Sequence, residues 1–469
     1  MSNGGQVLKS RDDHSLLSLY RIAPEPNPQF QLADNQDCSW VDSNDGVIAQ
    51  QTLRRRVEPW LTALVQSEHL ALLVGSGLTH AVHGIASTAD LPGMNPVTFR
   101  IRDDEISKEA ARIATAAGRE NGNIEDRFRA AAELLRGWEI VPPTDAVNEL
   151  SGVAQVCALR RELTDAYASF ANSILQAEQN LVQADSESRD QAFNYLVSFL
   201  MSFASRTGTR ERLRIFTTNY DRYIEAAADV AGLRIIDRFV GALTPVFRAS
   251  RLDVDLHYNP PGIRGEPRYL EGVAHFAKLH GSIDWVDVGG TIRRIGLPFG
   301  APDMKPYLDT LGSNPGDALN VMIYPNAAKD RETTFYPYVE LFRDFAAAIC
   351  RPNSTLICYG YGFGDDHINR VIEDMLTIPS THLVIIAYGD PLSTIMRLYN
   401  RVGRHAQFTM LIGDHFGSLR PLVDHYLPKP AIDRTTVRMT ELLKARWHLV
   451  PRPDEVQRGD NQTQGEGTT

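Results

Sequence analysis

Four short polar stretches in this 469-residue sequence carry residue types suited to chemistry, and each follows an apolar run. In chain order they read GSG at 75–77, TTNYD at 217–221, HGS at 280–282 and GYGFGDDH at 360–367. Apolar runs such as LALLV before the first stretch are typical of strands buried on both faces of a parallel sheet. Ligands bind beyond the carboxyl ends of such strands, so we expect the four stretches to meet in one site.

The TTNYD stretch offers more hydrogen-bonding groups than the end of a strand needs. Asn219 has both a donor and an acceptor, which suits sugar hydroxyls or a positioned water molecule. Capping of the next helix by Asn219 or Asp221 is the alternative, and it explains one of these residues rather than four. His280 is a candidate general base near neutral pH, although a lone histidine is more often a hydrogen-bonded core or turn residue.

The two glycine-rich stretches are candidates for binding a nucleotide through the backbone. GSG at 75–77 precedes a predicted helix, whose N-terminus favours negative charge. The full G-x-G-x-x-G pattern is absent, so an ordinary strand-to-helix turn is an equal alternative. DDH at 365–367 raises a metal hypothesis, which we disfavour because adjacent side chains point in different directions and Asp366 is a natural N-cap. We therefore expect no metal.

The elements that must position these residues alternate between strand and helix. The runs that predict strands are LRIFTTNYD, LRIIDRFVG, HFAKLHGS, NVMIYP, STLICY, HLVIIA and FTMLIG. Helical periodicity falls between several of them, at 222–231, 338–350, 368–376 and 392–401. This alternation predicts an α/β fold with a Rossmann-like, doubly wound and mostly parallel sheet.

The sheet domain is predicted over 51–103 and 211–428, divided by a large inserted helical subdomain at 104–210. Amphipathic segments such as IEDRFRAAAELLRGW support that insertion. Residues 1–50 are polar and rich in turn formers, which predicts an N-terminal extension. Residues 429–469 are expected to form a C-terminal helix and a disordered tail.

Composition favours a cytoplasmic protein. The net charge of −10 argues against non-specific binding to nucleic acid or to a membrane, since both need a basic surface. The four cysteines form no C-x-x-C pair, which fits a reduced compartment and excludes the usual Cys₄ zinc spacing. Neither a signal core nor a transmembrane run is visible in the sequence.

Taken together, the motifs resemble the sirtuin family, and more closely its bacterial sirtuin-like NADases of antiphage defence. GSG at 75–77 is similar to the family's G-A-G loop, and TTNYD at 217–221 is similar to its T-Q-N-I-D. LHGS at 279–282 resembles the catalytic His-Gly, and GYGFGDDHIN at 360–369 resembles a glycine-rich segment near the nucleotide. The resemblance implies that NAD is the substrate, with Asn219, His280 and Asp221 as catalytic residues. The implied NAD-binding residues are Gly75, Ser76, Gly77, Thr217, Thr218, Gly281, Ser282, Gly360, Tyr361, Gly362 and Phe363.

Two departures from the sirtuin pattern determine which activity we expect. The Cys₄ zinc module of deacetylating sirtuins is missing after His280, where the next cysteine is Cys350. The family's G-I-P-D-F-R stretch is represented only by fragments of GIASTADLPGMNPVTFR. Both argue against binding of an acyl-lysine substrate and leave the NAD pocket in place. We therefore expect an NAD⁺ glycohydrolase that releases nicotinamide and ADP-ribose.

Two other functions stay open at this point: a protein deacylase or ADP-ribosyltransferase, and a non-catalytic sensor of NAD or ADP-ribose. The resemblance further implies a homo-oligomer and a HerA-type ATPase partner, because an enzyme that depletes NAD must be held inactive until it is needed.

Overall fold

The computed structural model describes residues 5–34, 36, 38–41, 46–88, 91, 97–116, 122, 124–145, 150–206, 210–250, 255–258, 268–309, 336–390 and 392–429. The predicted strand in NVMIYP and the predicted C-terminal helix and tail beyond residue 429 lie outside these residues.

The strands follow the predicted apolar runs and add several others. They are β1 Gly5–Lys9, β2 Leu17–Ala23, β3 Gln29–Leu32, β4 Val47–Ala49, β5 His69–Val74, β6 Arg214–Thr217, β7 Arg234–Ile236, β8 Phe239–Val240, β9 Val246–Phe247, β10 His257–Tyr258, β11 Arg268–Tyr269, β12 Val273–Lys278, β13 Trp285–Val288, β14 Thr291–Arg294, β15 Ser354–Tyr359, β16 His382–Ala387 and β17 Phe408–Ile412.

Helices separate most of the strands. They are α1 Gln50–Val65, α2 Gly77–Ala86, α3 Asp103–Ala116, α4 Ile124–Ile140, α5 Val153–Gln183, α6 Ser186–Ala204, α7 Tyr223–Ala231, α8 Lys305–Asp309, α9 Tyr338–Ile349, α10 Asp366–Leu376, α11 Thr394–Val402, α12 Asp414–Gly417 and α13 Leu419–Pro421, followed by a π-helical turn at Leu422–Tyr426.

Among the described residues, the main sheet has 11 strands in the order β4-β3-β2-β1-β17-β16-β15-β5-β6-β12-β7. The seven strands from β17 to β7 are parallel, and the N-terminal four join them antiparallel at β17. The predicted Rossmann-like α/β fold is therefore confirmed. From β5 the chain builds outward through β6 and β12 on one side, then returns through β15 and β16 on the other. The order reverses between β5 and β15, which is where such sheets bind ligands.

The central strands are apolar because helices cover both faces of the sheet. All six residues of β15 are buried, and so are all five residues of β17. Burying a Leu, Ile or Val side chain stabilises the fold by about 1.5–3 kcal/mol relative to exposing it. A strand that is covered on both faces gains this from every position, so it reads as a continuous apolar run rather than an alternating one.

The predicted helical segment contributes to two parts of the molecule. Helix α6 packs against α2 and α7 and shares a hydrophobic core with β5 and β6, so it belongs to the layer that covers the sheet. Helices α3, α4 and the first half of α5 form a second core with residues around Ile283 and Val286. That second core lies against the chain segment that follows β12.

Glu211 connects side chains at the edge of the sheet that lies opposite to the carboxyl ends of the parallel strands. It accepts hydrogen bonds from Arg214 and Arg351 and lies next to His69, the first residue of β5. Burial acts to raise the pKa of the Glu211 carboxyl, but the two arginines outweigh it and lower the pKa to about 2. The ionised carboxylate therefore stabilises the folded state.

None of the described helices is both long and apolar enough to cross a membrane.

Candidate functional site

Two loops meet at the point where the strand order reverses. Gly75 follows β5, and its amide donates to the carbonyl of Tyr359 at the end of β15, at 3.0 Å. The Gly77 amide donates to the carbonyl of Gly360, also at 3.0 Å. These bonds bring the predicted GSG and GYG stretches into direct backbone contact.

Only glycine fits this contact. A Cβ atom on Gly77 would lie 2.5 Å from the Gly360 Cα, and one on Gly75 would lie 2.5 Å from the Gly360 carbonyl oxygen. Gly360 itself has a φ of +61°, a left-handed conformation that favours glycine. The glycines thus allow two loops to touch. Because the amides of Gly75 and Gly77 donate within the protein, a pyrophosphate here would rely on Ser76 and the N-terminal turn of α2.

The TTNYD stretch forms a buried hydrogen-bond network with helix α2. The Asn219 amide donates to the Gly75 carbonyl at 3.1 Å and to the Thr79 hydroxyl at 3.2 Å. The Thr79 hydroxyl in turn donates to the Asp221 carboxylate at 2.6 Å. A carbonyl accepts only, so the Asn219 nitrogen must face Gly75. Both amide hydrogens are used, and the side chain can address a ligand only through its Oδ1 oxygen.

The two threonines before Asn219 connect β5 to β6. The Thr217 hydroxyl donates to the Val74 carbonyl at 2.9 Å and accepts from the Asn219 backbone amide at 3.0 Å. The Thr218 amide donates to the same carbonyl at 3.2 Å. Thr217, which is 1% exposed, therefore fixes the backbone of Asn219.

Asp221 lies in a buried charged cluster. The ammonium group of Lys278, the last residue of β12, contacts the Asp221 carbonyl and pairs with Glu225 at 2.9 Å. Burial raises the pKa of the Asp221 carboxyl, while Lys278 and the Thr79 hydroxyl oppose that rise. The Tyr223 amide also donates to Asp221, so this carboxylate supports the start of α7 as well. The alternative role of Asp221 as a helix cap is therefore partly correct, although Arg222 occupies the N-cap position of α7.

His280 lies two residues beyond the end of β12 and is 3% exposed. Its Nε2 atom is 3.3 Å from the Nε2 atom of His367, near the start of α10. The carboxylate of Asp365 is the third member of this group, and the ligand atoms of the three lie within 4.8 Å of one another. The prediction that Asp366 is the N-cap of this helix was wrong, because Asp365 occupies the N-cap position of α10.

The residues that follow His280 shape the loop. Gly281 has a φ of +87°, and its amide donates to the Lys278 carbonyl at 3.3 Å. The Ser282 hydroxyl lies 3.4 Å from the Tyr220 carbonyl and is fully buried. Gly281 therefore shapes the turn after β12, and Ser282 connects the LHGS segment to the TTNYD segment.

The aromatic residues of the GYGFGDD stretch are part of the core. Tyr361 and Phe363 are 4% and 3% exposed, and their ring centroids are 4.9 Å apart. The Phe363 carbonyl accepts from the Asn369 side chain at 2.9 Å. Gly362 between them is exposed. Any contact with a ligand from this stretch would therefore come from the backbone at Gly360 and Gly362 rather than from the two rings.

A buried ion pair connects the helical segment to this site. The Arg222 guanidinium donates to both oxygens of Glu178 in α5, at 2.5 and 3.2 Å, and Glu178 is fully buried. Beside it, the Tyr220 ring packs edge-on against Phe170 of the same helix, with centroids 5.8 Å apart. Helix α5 thus determines where the segment between Asn219 and α7 lies.

A cavity lies beside this network rather than on it. Its volume is about 820 Å³, and its lining includes Glu225 of α7, Ile235 of β7 and Arg294 of β14. Glu225 is the shared residue, because it also pairs with Lys278. The cavity is large enough for a nucleotide-sized ligand, but the strand-end residues carry the groups that fit sugar and phosphate chemistry.

Thr79 and Lys278 belong to the site, and sequence reasoning gave neither of them a role in it. His367 entered the sequence analysis only through the disfavoured metal hypothesis at 365–367. Thr79 is four residues beyond Gly75, which places it one helical turn into α2, facing β6. A polar residue on an otherwise apolar helix face is the signal that could have identified it.

Fold and site together define a Rossmann-like α/β protein with a polar network at the carboxyl ends of its parallel strands. The family described as SIR2-like domain matches residues 213–404, a segment that includes Asn219 and His280 but not the GSG stretch. This match supports the resemblance to the sirtuin family, whose members are typically NAD-dependent enzymes with NAD as substrate. Among curated proteins, none matches the chain.

Proposed function

We propose that this protein is an NAD⁺ glycohydrolase, which cleaves NAD⁺ to nicotinamide and ADP-ribose. The observation that carries the proposal is the fixed orientation of Asn219 at the reversal of the strand order. Its two amide hydrogens are held by Gly75 and Thr79, so its Oδ1 oxygen is presented to a ligand as an acceptor. A ribose hydroxyl or an attacking water molecule is the donor that such an oxygen fits.

The reaction breaks the bond between nicotinamide and ribose, and its transition state resembles an oxocarbenium ion. Asn219 would position the ribose hydroxyls or the water molecule. Asp221 would keep the Thr79 hydroxyl, and through it Asn219, in one orientation. Such positioning supplies a large part of the lowering of a barrier of this kind.

His280 would take a proton from the water molecule or from a ribose hydroxyl. It stands at the end of β12, which pairs with β6, so it is on the same edge of the sheet as Asn219. Its burial keeps bulk water away from the reacting atoms. Removing a general base typically costs about 10²–10⁴-fold in rate.

The remaining expectations are part of the same proposal. Ser76, the N-terminal turn of α2 and the backbone at Gly360 and Gly362 would face the phosphates, while Gly75 and Gly77 would allow the two loops to meet there. The residues that would hold the loops around the nucleotide are Thr217, Thr218, Gly281 and Ser282. Release of nicotinamide in an infected cell would deplete NAD as an antiphage defence. A HerA-type ATPase partner and self-assembly would keep the enzyme inactive beforehand. Ile140, Val141 and Val153 are exposed apolar residues of the helical segment, which supports self-assembly through that surface.

The test is nicotinamide release from NAD⁺ by purified protein, alone and with the co-encoded partner. Asn219→Ala and His280→Ala should both abolish release, while His405→Ala, a change at an exposed histidine far along the chain, should not. If the wild-type protein binds NAD but releases no nicotinamide even with its partner, the proposal fails. A modified protein product would then favour a transferase or deacylase, and NAD binding without turnover would favour a sensor.

A further inference from the structure

Two buried histidines from different parts of the chain place their imidazole nitrogens side by side. His280 follows β12, and His367 is the second residue of α10, yet their Nε2 atoms are 3.3 Å apart. They are 3% and 8% exposed. Asp365, at the N-cap of α10, brings a carboxylate oxygen to within 4.8 Å of both nitrogens. The three groups converge only because the ends of β12 and β15 open onto the same edge of the sheet.

The distance between the two nitrogens is the one that a shared metal ion requires. Two imidazole nitrogens bound to a tetrahedral zinc at about 2.05 Å lie about 3.3 Å apart. A hydrogen bond between two neutral imidazoles would usually be shorter, at about 2.9–3.0 Å. The Asp365 carboxylate oxygen, within 4.8 Å of both nitrogens, is the candidate third ligand.

The donor set also selects the kind of metal. Two imidazoles and one carboxylate suit Zn²⁺ and similar divalent transition ions, whereas Mg²⁺ and Ca²⁺ favour oxygen ligands. The Asp365 carboxylate would offset one of the two positive charges of the ion. Both imidazoles are buried, so an ion bound between them would be removed from water. Aromatic rings limit their movement: Phe342 stacks edge-on against His367 with centroids 5.0 Å apart. Three protein ligands leave a fourth position for water or a ligand.

We propose that His280, His367 and Asp365 form a binding site for a zinc-class divalent cation, and that the bound cation inhibits the enzyme. The site is unrelated to a Cys₄ module, because it contains no cysteine and lies at the strand ends. It also replaces the expectation of no metal, which considered only the adjacent residues 365–367 and not the histidine that β12 supplies. The inhibitory half rests on the proposed function: the Nε2 lone pair of His280 cannot bind a metal and accept a proton at the same time.

Metal binding is measured first, without reference to activity. Tag-free protein is stripped with a chelator, given one equivalent of zinc chloride, and passed through a desalting column before its metal content is determined. Competition with a chromophoric chelator then gives the Kd. Cobalt(II) chloride provides a second readout, since tetrahedral Co²⁺ has a strong visible absorption band.

The wild-type protein and the control variant His405→Ala should each retain about one equivalent of zinc. His367→Ala and Asp365→Asn should bind at least about 100-fold and 10-fold more weakly, because each removes a direct ligand. Circular dichroism and thermal melting of the stripped proteins establish that the variants are folded. If the wild-type protein retains no zinc, or if His367→Ala binds as tightly as His405→Ala, the site proposal is overturned.

The inhibitory half is measured separately, by nicotinamide release at increasing free Zn²⁺ and after addition of a chelator. Release should fall as the site fills and return on chelation. Zinc bound at the cluster with unchanged release would overturn the inhibition and leave the site standing. If the stripped protein releases no nicotinamide even with its partner, the proposed function fails, while the binding experiment still decides the metal site.

Discussion

Removing the Thr79 hydroxyl should weaken both the fold and the activity, because this one group links Asn219 to Asp221. It accepts from Asn219 at 3.2 Å and donates to Asp221 at 2.6 Å, and burial raises the pKa of the Asp221 carboxyl. The substitution Thr79→Val keeps the β-branched shape and deletes both hydrogen bonds. A hydrogen bond to a charged group contributes about 1.5–3 kcal/mol, and a neutral one about 1 kcal/mol. The free energy of unfolding should therefore fall by about 3 kcal/mol.

The effect on catalysis follows from geometry. Without the hydroxyl, one amide hydrogen of Asn219 loses its acceptor, and the side chain is free to rotate away from the orientation that presents Oδ1. A misplacement of about 1 Å at a positioning group can cost about 10²-fold in rate. Nicotinamide release by Thr79→Val should fall by about that factor, with urea unfolding measured on the same preparation.

Two further variants make this prediction refutable. Thr79→Ser restores the hydroxyl and should recover most of the stability and most of the rate. Thr115→Val deletes an exposed hydroxyl that bonds only to its own helix, so it should change the stability by less than about 0.5 kcal/mol. If Thr79→Val behaves like Thr115→Val in both assays, the network does not hold Asn219, and the reasoning from it is wrong.

Three other predictions concern the loops, the helical segment and pH. Gly360→Ala places a Cβ 2.6 Å from the Gly77 Cα at a φ of +61°, so it should lower the melting temperature strongly. In the control Gly362→Ala the added Cβ meets no atom within 4 Å, so the melting temperature should be nearly unchanged. Glu178→Gln leaves the buried Arg222 without its counter-charge and should lower the free energy of unfolding, measured in urea, by about 3–5 kcal/mol. A decrease below about 1 kcal/mol would contradict the conclusion that this ion pair connects α5 to the site. The pKa of Glu211 is lowered from 4.5 to about 2. Its contribution of about 3 kcal/mol should thus be complete above pH 4.5 and be lost as the pH falls towards 2, and Glu211→Gln should remove that part of the pH dependence.

The parallel strands could be predicted from the sequence, and the antiparallel ones could not. Strands such as β15 and β16 are buried on both faces, so a continuous apolar run marks each of them. Strands β3 and β4 are short, and β2 and β3 mix buried with exposed positions. The turns between them are rich in Pro, Asn and Asp, which favoured an extension. Pairing with β17, far away in sequence, is what orders them, and no local pattern encodes a partner at that distance.

The same limit applies to the site. The types of Asn219 and His280 and their positions after strands were readable in the sequence, because both depend on local pattern. The convergence of Thr79 with Asp221, and of His280 with His367, depends on the order and register of the strands in the sheet. The use of the Gly75 and Gly77 amides within the protein also could not be foreseen, since it arises from the approach of the loop at Gly360.

Pairing of β1 with β17 has a consequence for synthesis. Val7 of β1 lies opposite Ile412 of β17, and the Gln6 side chain accepts from the His415 amide. A ribosome adding about 5–20 residues per second needs roughly 20–80 s to reach β17 after it has made β1. During that time the N-terminal strands have only each other, and a small antiparallel sheet of this kind is marginally stable on its own. The sheet therefore closes only after β17 has been made, and until then strands β1–β4 of the nascent chain lack the partner that completes their pairing.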